Sequence, residues 1–159
     1  MTEEMKKGYV ARIASANRSE LVVLMYEIMD DCLSEAKSSL STKADSGEFQ
    51  KNITRFRGFL NELMGSLDFQ YPISHDLMKL YTWIDKKATE VFYVKDIDMI
   101  DHMQTLLSKL KEGFEEVAKQ DNSTSVMEHA ETIYAGLTYG KGSLNETVDI
   151  GNEKRGYRV

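Results

Sequence analysis

Residues 49–67 read Phe49-Gln50-Lys51-Asn52-Ile53-Thr54-Arg55-Phe56-Arg57-Gly58-Phe59-Leu60-Asn61-Glu62-Leu63-Met64-Gly65-Ser66-Leu67. The large apolar residues Phe49, Ile53, Phe56, Leu60, Leu63 and Leu67 follow a strict alternation of four and three. That spacing puts all six on one side of an α-helix and leaves the charged residues on the other, so this helix needs a partner to bury its stripe. The pattern ends near Asp68. Tyr71-Pro72 closes it, because proline lacks the amide and disfavours helix for the residue before it.

The same period recurs on both sides. Upstream, the polar run Ser41 to Gly47 reads as a loop, and before it comes a helix starting at Asn17. Asn17 can cap, and Glu20 can reach back to the cap amide. The stripe of this helix is Val22, Met25, Met29, Cys32 or Leu33, Ala36 and Leu40. Downstream, Ser74 is a suitable cap for a helix with the stripe Leu77, Leu80 or Tyr81, Ile84, Ala88 and Val91. A fourth helix starts near Asp96 and carries Ile97, Ile100, Met103, Leu107, Leu110, Phe114 and Val117, with Asp96 and Asp98 at the positive end of its dipole. Four amphipathic helices with three short connections predict an all-α, antiparallel up-down four-helix bundle over residues 17–120. Residues 1–16 precede it as an N-terminal segment. The polar run Gln120 to Ser125 breaks the pattern and leads into the extension 121–159. A short extra helix then carries Val126, Ala130, Ile133 and Leu137, and Gly136 and Gly140 end it before an irregular tail.

The chain has 159 residues, 26 acidic against 20 basic, and a net charge of −6. That balance argues against a phosphate-tracking surface and so against nucleic acid as a partner. No run is long and apolar enough for membrane insertion. The start Met1-Thr2-Glu3-Glu4 lacks the pattern of a signal peptide, and the single cysteine, Cys32, cannot form an internal disulfide. A cytosolic location is therefore expected. Cys32 lies on a core stripe and reads as an inert buried thiol.

The helices carry more apolar surface than a bundle uses. Leu21, Leu24 and Ile28 fall on a second face of the first bundle helix, Phe59 and Met64 on the second, Met78 and Trp83 on the third, and Met99 and Leu106 on the fourth. One reading is a wide core stripe. The other is a groove that receives a partner's amphipathic helix, which nine methionines would suit.

Three segments carry a family resemblance. Asn17-Arg18-Ser19-Glu20-Leu21-Val22-Val23-Leu24-Met25-Tyr26-Glu27 resembles the opening of the FliS family of flagellin-export chaperones, with Ala16-Asn17-Arg18 standing where Ala-Ser-Pro is usual. Asn61-Glu62-Leu63-Met64-Gly65-Ser66-Leu67-Asp68, followed by Ile73 and by Asp76-Leu77-Met78-Lys79-Leu80-Tyr81-Thr82-Trp83-Ile84, is similar to that family's Glu-Leu-x-x-Ser-Leu-Asp and Asn-Leu-x-x-Leu-Tyr segments. Asp96-Ile97 through Leu106-Leu107-Ser108-Lys109-Leu110 resembles the start of its last bundle helix. The likeness covers roughly residues 9–118 and leaves 121–159 outside.

The resemblance implies an export chaperone, not an enzyme. Such a protein binds the disordered C-terminal segment of flagellin, prevents premature polymerisation and presents the complex to the flagellar export apparatus. The expected flagellin-facing residues are Leu21, Leu24, Ile28, Met78, Trp83, Met99 and Leu106. The N-terminal stretch is expected to lie over part of that surface through Tyr9, Val10 and Ile13. The same apolar stripes also allow a homodimer. The alternative is a helical scaffold or regulator binding another amphipathic helix. For the extension three roles stay open: a permanently docked extra helix, which the tidy stripe favours, a displaceable plug, or a separate docking site.

Catalytic patterns are weak. His75-Asp76-Leu77-Met78-Lys79 approximates a histidine-phosphotransfer site, but the lysine is one residue late and no glycine follows. Asp98, Asp101 and His102 have no matching pair on another helix for a di-metal centre, and Glu128 and His129 are adjacent and so diverge. Gly136 to Ser143 has the wrong spacing for a phosphate loop and no preceding strand. No catalytic residue, cofactor or metal is expected.

Overall fold

A computed structural model describes residues 3–41 and 47–128. It is all-helical, with α1 Glu3–Ser15, α2 Arg18–Ser41, α3 Glu48–Gly65, α4 Pro72–Val94 and α5 Ile97–Gln120. Helices α2 to α5 form an up-down four-helix bundle in which each packs on its two neighbours, α2 and α5 closing the ring. Ion pairs mark the antiparallel contacts. Arg55 on α3 meets Glu35 on α2, Arg57 on α3 meets Asp85 on α4, and Lys37 on α2 meets Asp101 on α5.

The decisive stripe of α3 is buried from Phe49 to Leu63, with Leu67 half-buried beyond the helix end. The stripe of α4 buries Leu77, Tyr81, Ile84, Ala88 and Val91. On α5 the centre, Ile100, Met103 and Leu107, is buried, whereas Ile97 and Val117 near its ends are exposed. On α2 the buried set is wider than one stripe: Val23, Leu24, Tyr26 and Ile28 are buried, and Val22, Met25 and Leu40 are only partly so.

The helix starts follow from capping chemistry. Asn17 Oδ1 accepts from the Glu20 amide at 2.9 Å, and Glu20 Oε2 accepts from the Asn17 amide at 3.0 Å, a reciprocal capping box. Asp96 Oδ1 accepts from the Met99 amide at 3.1 Å. The start of α4 differs from expectation. Pro72, not Ser74, opens the helix, and Ser74 is buried in its first turn. Proline fits there because the amide it lacks would have had no partner within the helix. Between α2 and α3, Gly47 caps α3 with φ +70, a conformation that favours glycine.

The N-terminal segment is also helical, which its sequence did not announce. Its residues lack a continuous apolar stripe, and Gly8 sits mid-helix. After α5 the chain is irregular from Asp121 to Ser125 and then turns helical at Val126–Glu128, where Ser125 Oγ accepts from the Glu128 amide at 3.2 Å. The remainder of the extra helix and the tail, residues 129–159, lie outside the described residues, with Ala130, Ile133, Leu137 and the Gly136 to Ser143 run among them.

Candidate functional site

Helix α1 folds back antiparallel along the outer face of α2. The Tyr9 hydroxyl donates to Asp31 Oδ2 at 2.7 Å, and one turn on, Arg12 makes a two-pronged contact with Glu27 at 2.5 and 3.1 Å. Burial and the neighbouring Asp31 push the Tyr9 phenol well above its ordinary value, so it stays a hydrogen-bond donor. A cleft of about 860 Å³ remains between α1, α2 and α5. Its walls include Glu27, Asp30 and Asp31 on α2 and Asp101, Lys109, Lys111 and Glu112 on α5, and the Tyr9 and Arg12 contacts fall on the acidic residues of α2.

Beneath the hinge that joins α1 to α2 the chemistry changes. A second cleft of about 380 Å³ is lined by Arg12, Ser15 and Ala16 from the α1 side and by Val23 and Leu24 on α2. Val23 and Leu24 are buried yet stand outside the main core cluster. They lie between Arg12, Ser15 and Ala16 on the α1 side and Glu115, Ala118 and Lys119 of α5, so α1 covers them only in part. A lone helix of this length is marginal in water. The latch itself consists of contacts worth about 0.2–1 kcal/mol when exposed and about 1.5–3 kcal/mol for a charged hydrogen bond. Such an element belongs to the low-stability end of a structure and is suited to displacement.

The expected partner-facing residues separate onto different flanks. On α2, Leu21, Ile28 and Glu35 are seven apart and share one flank, and Glu35 pairs with Arg55 of α3. Leu21 is partly exposed and Ile28 only 5 % exposed, so both stand beside α3. On α4, Met78 shares a flank with Asp85, which pairs with Arg57 of α3. Trp83 lies on the other flank of α4, toward α5, and is 42 % exposed. On α5, Asp101 and Gln104 face α2, through Lys37 and through Asp30 and Ser34. Met99 and Leu106 thus lie on the opposite flank, toward α4, where both are half-buried against the core.

Trp83, Met99 and Leu106 therefore border one groove, between α4 and α5. Leu21 borders the α2–α3 groove and Met78 the α3–α4 groove, whereas Ile28 is buried in the core. Leu24 sits under the hinge. Among the N-terminal residues, Tyr9 faces α2, whereas Val10 is 66 % exposed and Ile13 is exposed too, so the contact of α1 with α2 is made through Tyr9 and Arg12. Arg12, Glu27 and Asp31 were not singled out in the sequence. Their signal was there, since residues 9 and 12 on one helix match 31 and 27 on an antiparallel partner, but it is readable only once α1 is known to be a helix.

The family model described as Flagellar protein FliS matches residues 1–121. The chain belongs to the FliS family. It thus has the general role of a flagellar chaperone, in a family that binds flagellin. Comparison with curated proteins finds no match. The matched region takes in α1, the hinge and the whole bundle, and it ends at Asp121, the residue that closes α5.

The residues weighed for other chemistry have structural surroundings. His75 is exposed in the first turn of α4, its ring 5.2 Å from that of Phe69. Asp101 is paired with Lys37, and His102 is exposed. Cys32 is fully buried, and burial pushes its thiol up. Among the described residues no group of three or more His, Cys, Asp or Glu side chains is placed to hold a metal ion, and no helix is long and apolar enough to cross a membrane.

Proposed function

We propose that this protein acts in the cytosol, holding the C-terminal segment of flagellin against its bundle, blocking premature polymerisation and presenting the client to the flagellar export apparatus. The observation that carries this reading is the distribution of apolar residues outside the core. They line more than one groove, with Trp83, Met99 and Leu106 between α4 and α5, Met78 between α3 and α4, and Leu21 beside α3. A single docked helix fills one groove. Apolar flanks on several sides suit a disordered segment that wraps the bundle and folds as it binds, offsetting its ordering cost with a large buried area. Helix α1, held on α2 by Tyr9 and Arg12, supports a surface partly covered until the client arrives.

Filament growth from purified flagellin tests the reading. An equimolar amount of this protein should suppress nucleated polymerisation, and flagellin lacking its C-terminal segment should no longer co-elute with it. Unchanged polymerisation would remove the flagellin-holding role.

A further inference from the structure

The extension that follows α5 is rooted on the start of α2. Asn17 Nδ2 donates to the Asp121 carbonyl at 3.1 Å, and the Ser19 hydroxyl donates to Asp121 Oδ2 at 2.6 Å. The Ser123 amide donates to Asp121 Oδ1 at 3.0 Å, which turns the chain. The Val126 amide then donates to the Ala16 carbonyl at 3.0 Å. That carbonyl shares one planar peptide unit with the Asn17 amide, which Glu20 of α2 holds. The root thus rests on the capped start of α2 and keeps its place whatever α1 does.

The root delivers the next helix to a particular place. Ala16 is a wall of the cleft of about 380 Å³ between α1, α2 and α5, and Val23, Leu24 and Ala118 belong to its apolar lining. In the first turn of the extension Val126 is half-buried, whereas Met127 and Glu128 are exposed, so Val126 marks the inward side. Ala130, Ile133 and Leu137, outside the described residues, follow Val126 at steps of four, three and four. In a continuing helix that spacing sets them on the same inward side, with Glu128 and Glu131 on the other. A lone helix of this length is marginal in water, so such a stripe requires a partner. The cleft at Ala16 is the apolar surface beside its first residue.

We propose that residues 126–137 form a helix docked in this cleft, its stripe packed toward Val23, Leu24 and Ala118, as a permanent part of the bundle. The occupant is this chain's own segment, because the root fixes Val126 at the cleft wall. Met99 and Leu106 lie on the other flank of α5, toward α4, so a helix docked here leaves the α4–α5 groove open and does not plug it. The family match ends at Asp121, so the docked helix is an addition to the matched region. The docking does not depend on the flagellin reading.

Methyl NMR on the full chain without client tests the docking. Ile133→Asp puts a charge on the stripe and should shift the Val23 and Leu24 methyl resonances, while those of Met99 and Leu106 stay in place. Thr132→Asp puts the same charge off the stripe and should move none of the four. Hydrogen exchange gives a second readout. Amides of residues 130–137 should exchange about tenfold or more slowly than in an unstructured chain, in the parent and in Thr132→Asp, and lose that protection in Ile133→Asp with α2 to α5 unchanged. Ala118→Leu narrows the cleft from the α5 side and should strip the same protection without touching the segment.

Unmoved Val23 and Leu24 methyls in Ile133→Asp, equal shifts in Thr132→Asp, or protection that survives Ala118→Leu would each overturn the docking. Shifts at Met99 and Leu106 would put the segment in the α4–α5 groove, and shifts that depend on protein concentration would put it on a second copy of the chain. Either result would overturn it too.

Discussion

The hydroxyls of Tyr26 and Tyr81 hydrogen-bond to each other inside the bundle, joining α2 to α4 across its diagonal. Both side chains are almost fully buried, and burial pushes both phenols up, so neither ionises in the folded protein. These two tyrosines belong to the Tyr26-Glu27 and Leu80-Tyr81 pairs that carry the family resemblance. Removing one hydroxyl leaves the other buried without this partner. Tyr26→Phe and Tyr81→Phe should each cost about 1–3 kcal/mol in urea unfolding. The double variant should cost less than the sum of the two, because it leaves no orphan behind. Additive losses would mean that the two hydroxyls do not act as a pair.

Gly8 lies in the middle of α1, and a Cβ there would meet nothing within 4 Å. Gly8→Ala should therefore stabilise α1 by about 0.5–1 kcal/mol through helix propensity alone. Because that gain belongs to the closed cover, slower exchange in α1 should be accompanied by a two- to fivefold weaker client affinity, the order implied by that energy. Tighter binding would mean that α1 belongs to the client site and does not compete for it.

The α4–α5 groove carries the heaviest exposed side chain of the expected set. Trp83→Asp should lower affinity for the client by at least tenfold, about 1.4 kcal/mol or more, by burying a charge where an aromatic ring had packed. Leu106→Asp should do the same at some cost in stability, because Leu106 is half-buried. Val10→Asp, on the exposed face of α1, should bind as the parent does. A circular dichroism spectrum unchanged in Trp83→Asp, with binding lost, places the residue in the site. A lost spectrum assigns it to the core.

Asp121 provides a pH signature. Hydrogen bonds from Ser123 and Ser19 hold its carboxyl at about 2, below its ordinary value of 3.8. A lowered folded value contributes stability above the unfolded one, and the contribution is lost as pH falls from about 4 through about 2. The difference in unfolding stability between the parent and Asp121→Asn should be present at neutral pH and vanish near pH 2. A difference that persists at pH 2 would mean that the carboxylate charge is not what Ser19 and Ser123 recognise.

The parts of the fold that sequence revealed are those with a single physical cause. The stripe from Phe49 to Leu63, the Asn17–Glu20 capping box and the Asp96 cap each depend on neighbours within a few residues. Helix α1 was not legible, since polar contacts with Glu27 and Asp31 on another helix hold it and leave no periodic trace. Tyr26 was missed as a core residue for a similar reason, because its partners Tyr81 and Phe114 lie on other helices. The expected binding set named apolar residues beyond the main stripes but could not sort them. The ion pairs Glu35–Arg55, Arg57–Asp85 and Lys37–Asp101, with the Gln104 bonds to Asp30 and Ser34, tell which flank faces which neighbour. Leu24 and Ile28 illustrate the limit. Both lie off the main stripe of α2, yet the first is buried beneath the α1 hinge and the second within the core.

Titration calorimetry of the full-length chain against the C-terminal segment of flagellin tests the central claim most directly. The account predicts tight one-to-one binding, a gain of helix on mixing and a negative heat-capacity change, the signature of a disordered segment folding onto apolar grooves. Absence of binding would contradict it and leave a FliS-family bundle with a different client.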